Sequence, residues 1–446
     1  MENYHSYIFR TSFPEVRAKP ASASSRLGVS TRPCRVLTPR AEAVGGMTLG
    51  RQYWRFWMAT VAVNLGDGIR VAAFPLVAAS LTDDALLVAA VAAAAALPWL
   101  VTGLVAGAWA DRYNARRLLV GADALRVAVL SALVITFAFD MASIGVLAVS
   151  AFLLGVGETV RDTTAQSVVP RLVPTPLLER ANGRLVAGEL VANEFVGPLV
   201  GGLLFAAGAV LPFLANSAAS VFAILLILGL PTLSLRATPQ PSLESASAGV
   251  VKGLRWLFTH RTLRSLVMVG AMVALADSAW FAIFVIYAEN RLGLGPTAFG
   301  ALLAVGAAGG LLGSLLAEHL IRWLRHRTVI VGAIAAAAVT PALLLIASSI
   351  WVAVAVVLVT SAGFGIFNVA NVSLRHRLTP ENLLGRVIAA SRTVVLGAGA
   401  IGALAGGASG SIFGLEAPFA LATGFGLFAL IIWICASRRP HLPDFA

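Results

Sequence analysis

Five groups of ionisable side chains sit inside long apolar stretches of this sequence, where charge is costly. Asp67 and Arg70 are three residues apart, Asp123 and Arg126 repeat that spacing, and Glu158, Arg161 and Asp162 form an i, i+3, i+4 set. Such spacings put side chains on one face of a helix. Asp67 with Arg70 reads equally as a self-satisfied pair that fixes structure and as a carboxylate tuned by its cation for proton exchange. Asp123 and Arg126, nearer the end of their stretch, read as structural, beside the loop that carries Asp111. The Glu158 set holds two acids around one base, which leaves one carboxylate unpaired. Glu189 lies near the end of its stretch, and Glu194 is deeper, five residues on and on another face of an α-helix. Asp277 stands alone amid Leu275, Ala276 and Trp280.

An ionised residue near the centre of a membrane helix costs about 2.5–3.5 kcal/mol, so each needs a partner or a role. Asp67, Glu158, Glu194 and Asp277 are the leading proton carriers on this reading, with Arg70 and Arg161 as counter-charges. Asp162, Glu189, Asp123 and Arg126 are secondary candidates. Asn64, Asn193, Trp280 and Phe281 are weaker candidates for the lining of a substrate cavity.

The stretches that position these residues read as membrane helices. Of 446 residues, 58% are hydrophobic and only 12% charged. A soluble surface needs about 25% charge, so a soluble fold and a disordered chain are both excluded. Twelve apolar stretches of about 20 residues can be marked, between positions 55 and 436. They lack the alternation of a membrane β-barrel, so helices must satisfy the backbone. With a cytoplasmic N-terminus, 17 lysines and arginines fall in inner loops and Arg291 alone in an outer one. That is the positive-inside pattern, and an even number of spans returns the C-terminus to the cytoplasm.

The expected fold is therefore all-α and integral to the membrane, with twelve transmembrane helices in two six-helix bundles, 51–231 and 263–437. Residues 232–262 read as a cytoplasmic linker with an interfacial helix that shows Val250, Leu254, Leu257 and Phe258 on one face. Residues 1–50 read as a disordered tail or as a start assigned ahead of Met47, and 438–446 as a C-terminal tail.

The same composition removes whole classes of function. The net charge of +12 sits on membrane loops and the tail, where it sets topology rather than binding nucleic acid. The two lysines, Lys19 and Lys252, follow Ala18 and Val251, so no Walker loop exists to use ATP. Cys34 and Cys435 cannot make a disulfide framework, and no histidine has zinc-site spacing. The Gly397–Gly402 run matches a dinucleotide pattern but lies inside a span with no strand before it. No catalytic constellation, metal site or cofactor is expected.

The two halves repeat each other. Arg171–Arg180 matches Arg377–Arg386 at six of ten positions, at an offset of 206. Gly103–Arg112 matches Gly310–His319 at 207, and Gly197–Gly202 matches Gly402–Gly407 at 205. Both copies start on the same side, so the repeat is parallel, with its axis along the membrane normal. The Gly406-Gly407 copy lacks the proline and reads as generic small-residue packing.

Gly107-Ala-Trp-Ala-Asp111-Arg112-Tyr-Asn-Ala-Arg116-Arg117 resembles the loop signature of the major facilitator superfamily, departing at Trp109, Asn114 and Ala115. The resemblance implies an inner gate, in which Gly107 lets helices touch and Asp111 pairs with a base or a helix N-terminus. Asn114 would take the left-handed turn where the family has glycine, and Arg112, Arg116 and Arg117 would anchor to anionic lipid. Gly197-Pro198-Leu-Val-Gly201-Gly202 resembles the signature of the superfamily's antiporters, with Pro198 bending its helix. With Asn64–Arg70 and Gly155–Asp162, it resembles the branch of enterobactin exporters and Tap-type multidrug pumps. The expected function is then proton-coupled export of hydrophobic or amphipathic small molecules, such as drugs, antibiotics or siderophores. The protein would work by alternating access, as a monomer, in lipid of the bacterial inner membrane, driven by the proton gradient. Uptake by symport on the same fold and lipid flipping or scrambling are the alternatives.

Overall fold

The computed structural model describes residues 48–231 and 255–437. Residues 1–47, 232–254 and 438–446 lie outside them, and with them the two tails and most of the linker, including Val250 and Leu254 of the expected interfacial helix. The first half consists of α1 (Arg51–Leu81), α2 (Ala85–Val101), α3 (Gly103–Arg112), α4 (Ala115–Ala138), α5 (Ile144–Leu172), α6 (Leu178–Glu189), α7 (Gly197–Ala207) and α8 (Leu211–Leu228). The second consists of α9 (Arg261–Phe281), α10 (Phe284–Asn290), α11 (Pro296–Trp323), α12 (His326–Val339), α13 (Leu343–Ile346), α14 (Ile350–Leu378), α15 (Glu381–Phe413) and α16 (Ala417–Ser437).

Among the described residues, eleven helical segments are long and apolar enough to cross a membrane, and α2 is a shorter apolar helix of 17 residues. The sequence predicts one span over 86–109, and the structure breaks it at Thr102. There the Thr102 hydroxyl donates to the Pro98 carbonyl at 2.7 Å, and such back-bonding bends helices. At the end of the linker, Leu257 and Phe258 do not share a buried face. Leu257 packs against Val267, Val387 and Ala390 of the second half, whereas Phe258 is exposed.

One end of the molecule carries the arginine-rich loops and the other the arginine-poor loops, and the two ends are packed differently. At the arginine-poor end a single apolar core runs through both halves, from Phe74, Val88 and Phe213 to Phe284, Tyr287 and Phe419. At the arginine-rich end each half has its own core, one around Tyr53, Leu119 and Ala223, the other around Leu263, Ile334 and Trp433. The halves therefore share one apolar core at the arginine-poor end and keep separate cores at the other, where Arg392 of α15 still lies over the Trp99 ring of α2.

Glycines make the closed seam. A Cβ on Gly202 of α7 would lie 2.5 Å from the Pro296 carbonyl of α11, and one on Gly407 of α15 would lie 2.5 Å from the Ala89 Cβ of α2. Positions 202 and 407 are repeat equivalents, so the two seams are copies of one contact across the pseudo-twofold axis. The Gly406-Gly407 pair is thus not generic packing. Gly406 seats α15 on Ala279 of α9 inside the second half, as Gly201 seats α7 on Ile69 and Ala72 of α1 in the first. Gly407 then faces the other half.

A polar latch closes the same seam. Asp84 caps α2, its Oδ1 accepting from the Leu86 N–H at 2.9 Å, and the Ser411 hydroxyl of α15 donates to the same atom. These bonds, that from Ser411 foremost, hold the Asp84 carboxyl below its ordinary range. A depressed carboxylate stabilises the bonded state while ionised, so the latch fades only as pH falls through that lowered value. Ser411→Ala should raise the population open at this end about 2- to 10-fold, from a net hydrogen bond of about 0.5–1.5 kcal/mol. Thiol labelling of a cysteine placed at the seam measures it.

Candidate functional site

The charged groups of the first half meet in one network between α1, α4 and α5. The pairing differs from that expected within single helices. Arg126 of α4 donates to Asp67 of α1, and Arg70 of α1 donates to Glu158 of α5. Arg161 of α5 donates to Asp123 of α4 at 2.8 Å and to the Ala59 carbonyl at 3.1 Å. The intrahelical contact that persists, Arg70 to Asp67, is long at 3.6 Å. An extended arginine spans the gap of about 8–10 Å between packed helix axes without doubling back onto its own helix, so the interhelical partner wins.

Three corrections follow. Asp67 and Arg70 are not a self-satisfied pair. Asp123 and Arg126 are not peripheral partners of the Asp111 loop but fully buried members of the network, 0% and 1% exposed. Arg161 does not sit between Glu158 and Asp162, because Asp123 holds it. Four acids face three arginines, and Asp162 makes no ion pair among the described residues. Gly157 lets this happen: a Cβ there would press on the Arg126 side chain at 3.1 Å.

The sequence predicts α-helix through 183–208, but residues Leu190–Val196 form a π-helical segment. Pro198 follows it, and its ring and missing N–H disfavour an α-helical bond to the residue four before it. The wider turn closes between residues five apart. Glu189 and Glu194 therefore lie on one side rather than on different faces, close enough to interact electrostatically. Both are exposed, outside the ion pairs of the network. Asn193 puts its backbone carbonyl against Gly68, and its side-chain Oδ1 is buried without a hydrogen bond among the described residues. Asn64 is spent on its own helix, donating to the Thr60 carbonyl at 3.0 Å. Asn216, which carries no signal in the sequence, is buried in α8 with Oδ1 against Gly66.

An apolar pocket of about 200 Å³ adjoins this network. Arg70 lies at its charged side, Phe74, Val88 and Val91 line its first-half wall, and Phe281 and Ala282 its second-half wall. Of the two aromatic candidates, Phe281 lines the pocket and Trp280 does not. Trp280 is buried against Phe284 and Phe419.

A sequence profile described as Transmembrane secretion effector matches residues 49–445. The chain belongs to this family of the major facilitator superfamily. It is 30% identical over 400 residues to a protein of Mycolicibacterium fortuitum named multidrug efflux pump Tap, covering 86% of this chain and 95% of that one. Its fold matches a bacterial homologue of the iron transporter ferroportin in an inward-facing state, with TM-score 0.71, 18% identity, and coverage of 88% of this chain and 100% of that one. The same homologue in an outward-facing state matches with TM-score 0.55 and 19% identity, covering 87% and 100%. The family places the chain among multi-pass transporters of the bacterial inner membrane, not among enzymes.

The superfamily loop is built as follows. Asn114 is not in a left-handed turn. It is extended and caps α4, its Oδ1 accepting from the Arg116 N–H at 2.9 Å. Arg116 donates to the Leu228 carbonyl and Arg55 to the Gly229 carbonyl, so two cations cap the C-terminal end of α8. Arg112 is exposed, and the Asp111 side chain lies outside the described residues. A Cβ at Gly107 would meet open space, so here it brings no helices together. The antiporter-like residues Gly197, Pro198, Gly201 and Gly202 are all buried, against α1 on one side and α11 on the other.

Proposed function

We propose that this chain exports hydrophobic or amphipathic small molecules in exchange for protons, by alternating access. The observation that carries the reading is the pocket beside Arg70, whose two walls belong to different halves. Closure at the arginine-poor end assembles it, and rocking apart at that end dismantles it. Affinity is therefore high when the cavity faces the arginine-rich side and low when it faces the other. If the arginine-rich side is cytoplasmic, that asymmetry favours export. The Tap relative supports the direction, and the higher similarity of the fold to an inward-facing structure supports the state. Asp67, Glu158 and the unpaired Asp162 carry the proton coupling: a proton on Glu158 would release Arg70 at the edge of the pocket and reset the contact between halves.

The reading is tested in proteoliposomes of the full chain with ethidium and the neutral dye Nile red. Dye should accumulate in vesicles with an acidic lumen, and not without the pH gradient. Glu158→Gln should keep downhill exchange and lose accumulation. Phe281→Ala should raise KM about tenfold, for roughly 1.4 kcal/mol of lost apolar contact. Accumulation driven by an alkaline lumen would mean symport, and translocation of fluorescent lipid without a gradient would mean a flippase; either result overturns the proposal.

A further inference from the structure

The repeat gives Asp277 a counterpart. At an offset of 207 it stands where the first half has Arg70, and Ala333 stands where the first half has Arg126. At 206, Phe364 replaces Glu158. The second half has thus kept one charged position and replaced the partners around it. What occupies their place is a small cavity between α9, α12, α14 and α16, lined by Asp277, Ala276, Ile334, Ala337, Thr360 and Phe364.

Two polar atoms, one lining this cavity and one beside it, make no hydrogen bond among the described residues. Thr360 is 3% exposed, and its Oγ1 makes no hydrogen bond among the described residues. The Trp280 indole N–H lies near Asp277, one turn along the helix, but short of hydrogen-bond geometry. Asp277 itself has no ion pair among the described residues. Among the described side chains, the charged and titratable groups on the helices around it are Arg261 and Arg264 of α9, His326 and Arg327 of α12, Arg375, His376 and Arg377 of α14, Arg392 of α15 and Cys435 of α16. All of them lie toward the arginine-rich end. Arg264 is thirteen residues from Asp277, about 20 Å along the helix.

We propose that Asp277 and Thr360 form a proton-binding site inside the second half, separate from the substrate pocket, in which the neutral carboxylic acid is the resident form and donates to the Thr360 hydroxyl. This rests on the transport reading and adds to it a second, remote place for a proton. An isolated carboxylate in apolar surroundings binds a proton rather than stay charged. The carboxylic O–H then gives Thr360 its missing partner, and the carbonyl oxygen accepts from Trp280. A hard metal ion is not served here, since it takes six or more oxygen ligands and the cavity offers a carboxyl, one hydroxyl and apolar walls. Phe281, a wall of the substrate pocket, lies one turn beyond Asp277 on α9. Proton and substrate therefore bear on one helical turn without sharing a ligand, and their exchange needs no direct competition.

Infrared difference spectroscopy of the purified full chain tests this without transport. The wild type should show a protonated-carboxyl stretching band at neutral pH that Asp277→Asn removes. Thr360→Val should shift the band upward by removing its acceptor, and Thr360→Ser should restore it. Thr360→Val keeps the side-chain shape, so the Thr360 pair remains informative if Asp277→Asn fails to fold. A spectrum unchanged by Asp277→Asn, or a band insensitive to both Thr360 variants, overturns the proposal. Dye accumulation measured on the same preparations separates its failure from that of the export reading.

Discussion

Gly407→Val should leave a folded protein that cannot export, whereas Gly406→Val, one residue earlier, should leave none folded. At Gly406 a Cβ would overlap the Ala279 carbonyl of the same half. That contact exists in every state of the transport cycle, so the collision has no state to escape to. At Gly407 the collision is with Ala89 at 2.5 Å and the Ala85 carbonyl at 2.9 Å, both of the other half. Those groups must separate anyway when the arginine-poor end opens. Overpacking of this kind costs about 1–3 kcal/mol, and it falls on one state only. At about 3 kcal/mol the balance moves roughly 150-fold toward the state open at that end. Size-exclusion of a fluorescent fusion reports folding. Thiol labelling at the seam, with Cys34 and Cys435 replaced by Ser, reports the state. Equal behaviour of the two variants would mean that this seam is not the moving interface.

The second large effect concerns the buried network. Arg126→Gln should cost about 3–5 kcal/mol, because it leaves Asp67 buried without its partner. Adding Asp67→Asn should return most of the lost stability, since two neutral amides can bond where two ions did. Coupling should not return: the double variant should equilibrate dye across the membrane but fail to concentrate it. Thermal unfolding in detergent measures the first quantity and accumulation in vesicles the second. Recovery of accumulation by the double variant would reduce this pair to a structural strut.

Much of the site is legible in the residue pattern. Arginine and carboxylate spacing inside apolar stretches marks Asp67, Arg70, Glu158 and Arg161, because ions in lipid must have partners or work. The spacing does not say which partners. Sequence separation measures neighbours within a helix, and here the bonds run between helices 38 to 88 residues apart. The same limit hides the π-helical turn, which realigns Glu189 with Glu194, and the roles of Thr360 and Asn216, which are ordinary polar residues until their surroundings are known.

Membrane residence follows from the sequence alone, and matches at a nearly fixed offset give the expectation of an internal duplication. Hydrophobicity summed along a helix and identity at a fixed offset are both properties of one dimension, and charge placement likewise sets the expected orientation. The tertiary structure decides what one dimension does not hold: which arginine meets which acid, which glycine of an adjacent pair seals the two halves, and which end is closed. Those outcomes depend on helices packed at distances of about 8–10 Å, where the absence of one methyl group or the reach of one guanidinium selects the contact.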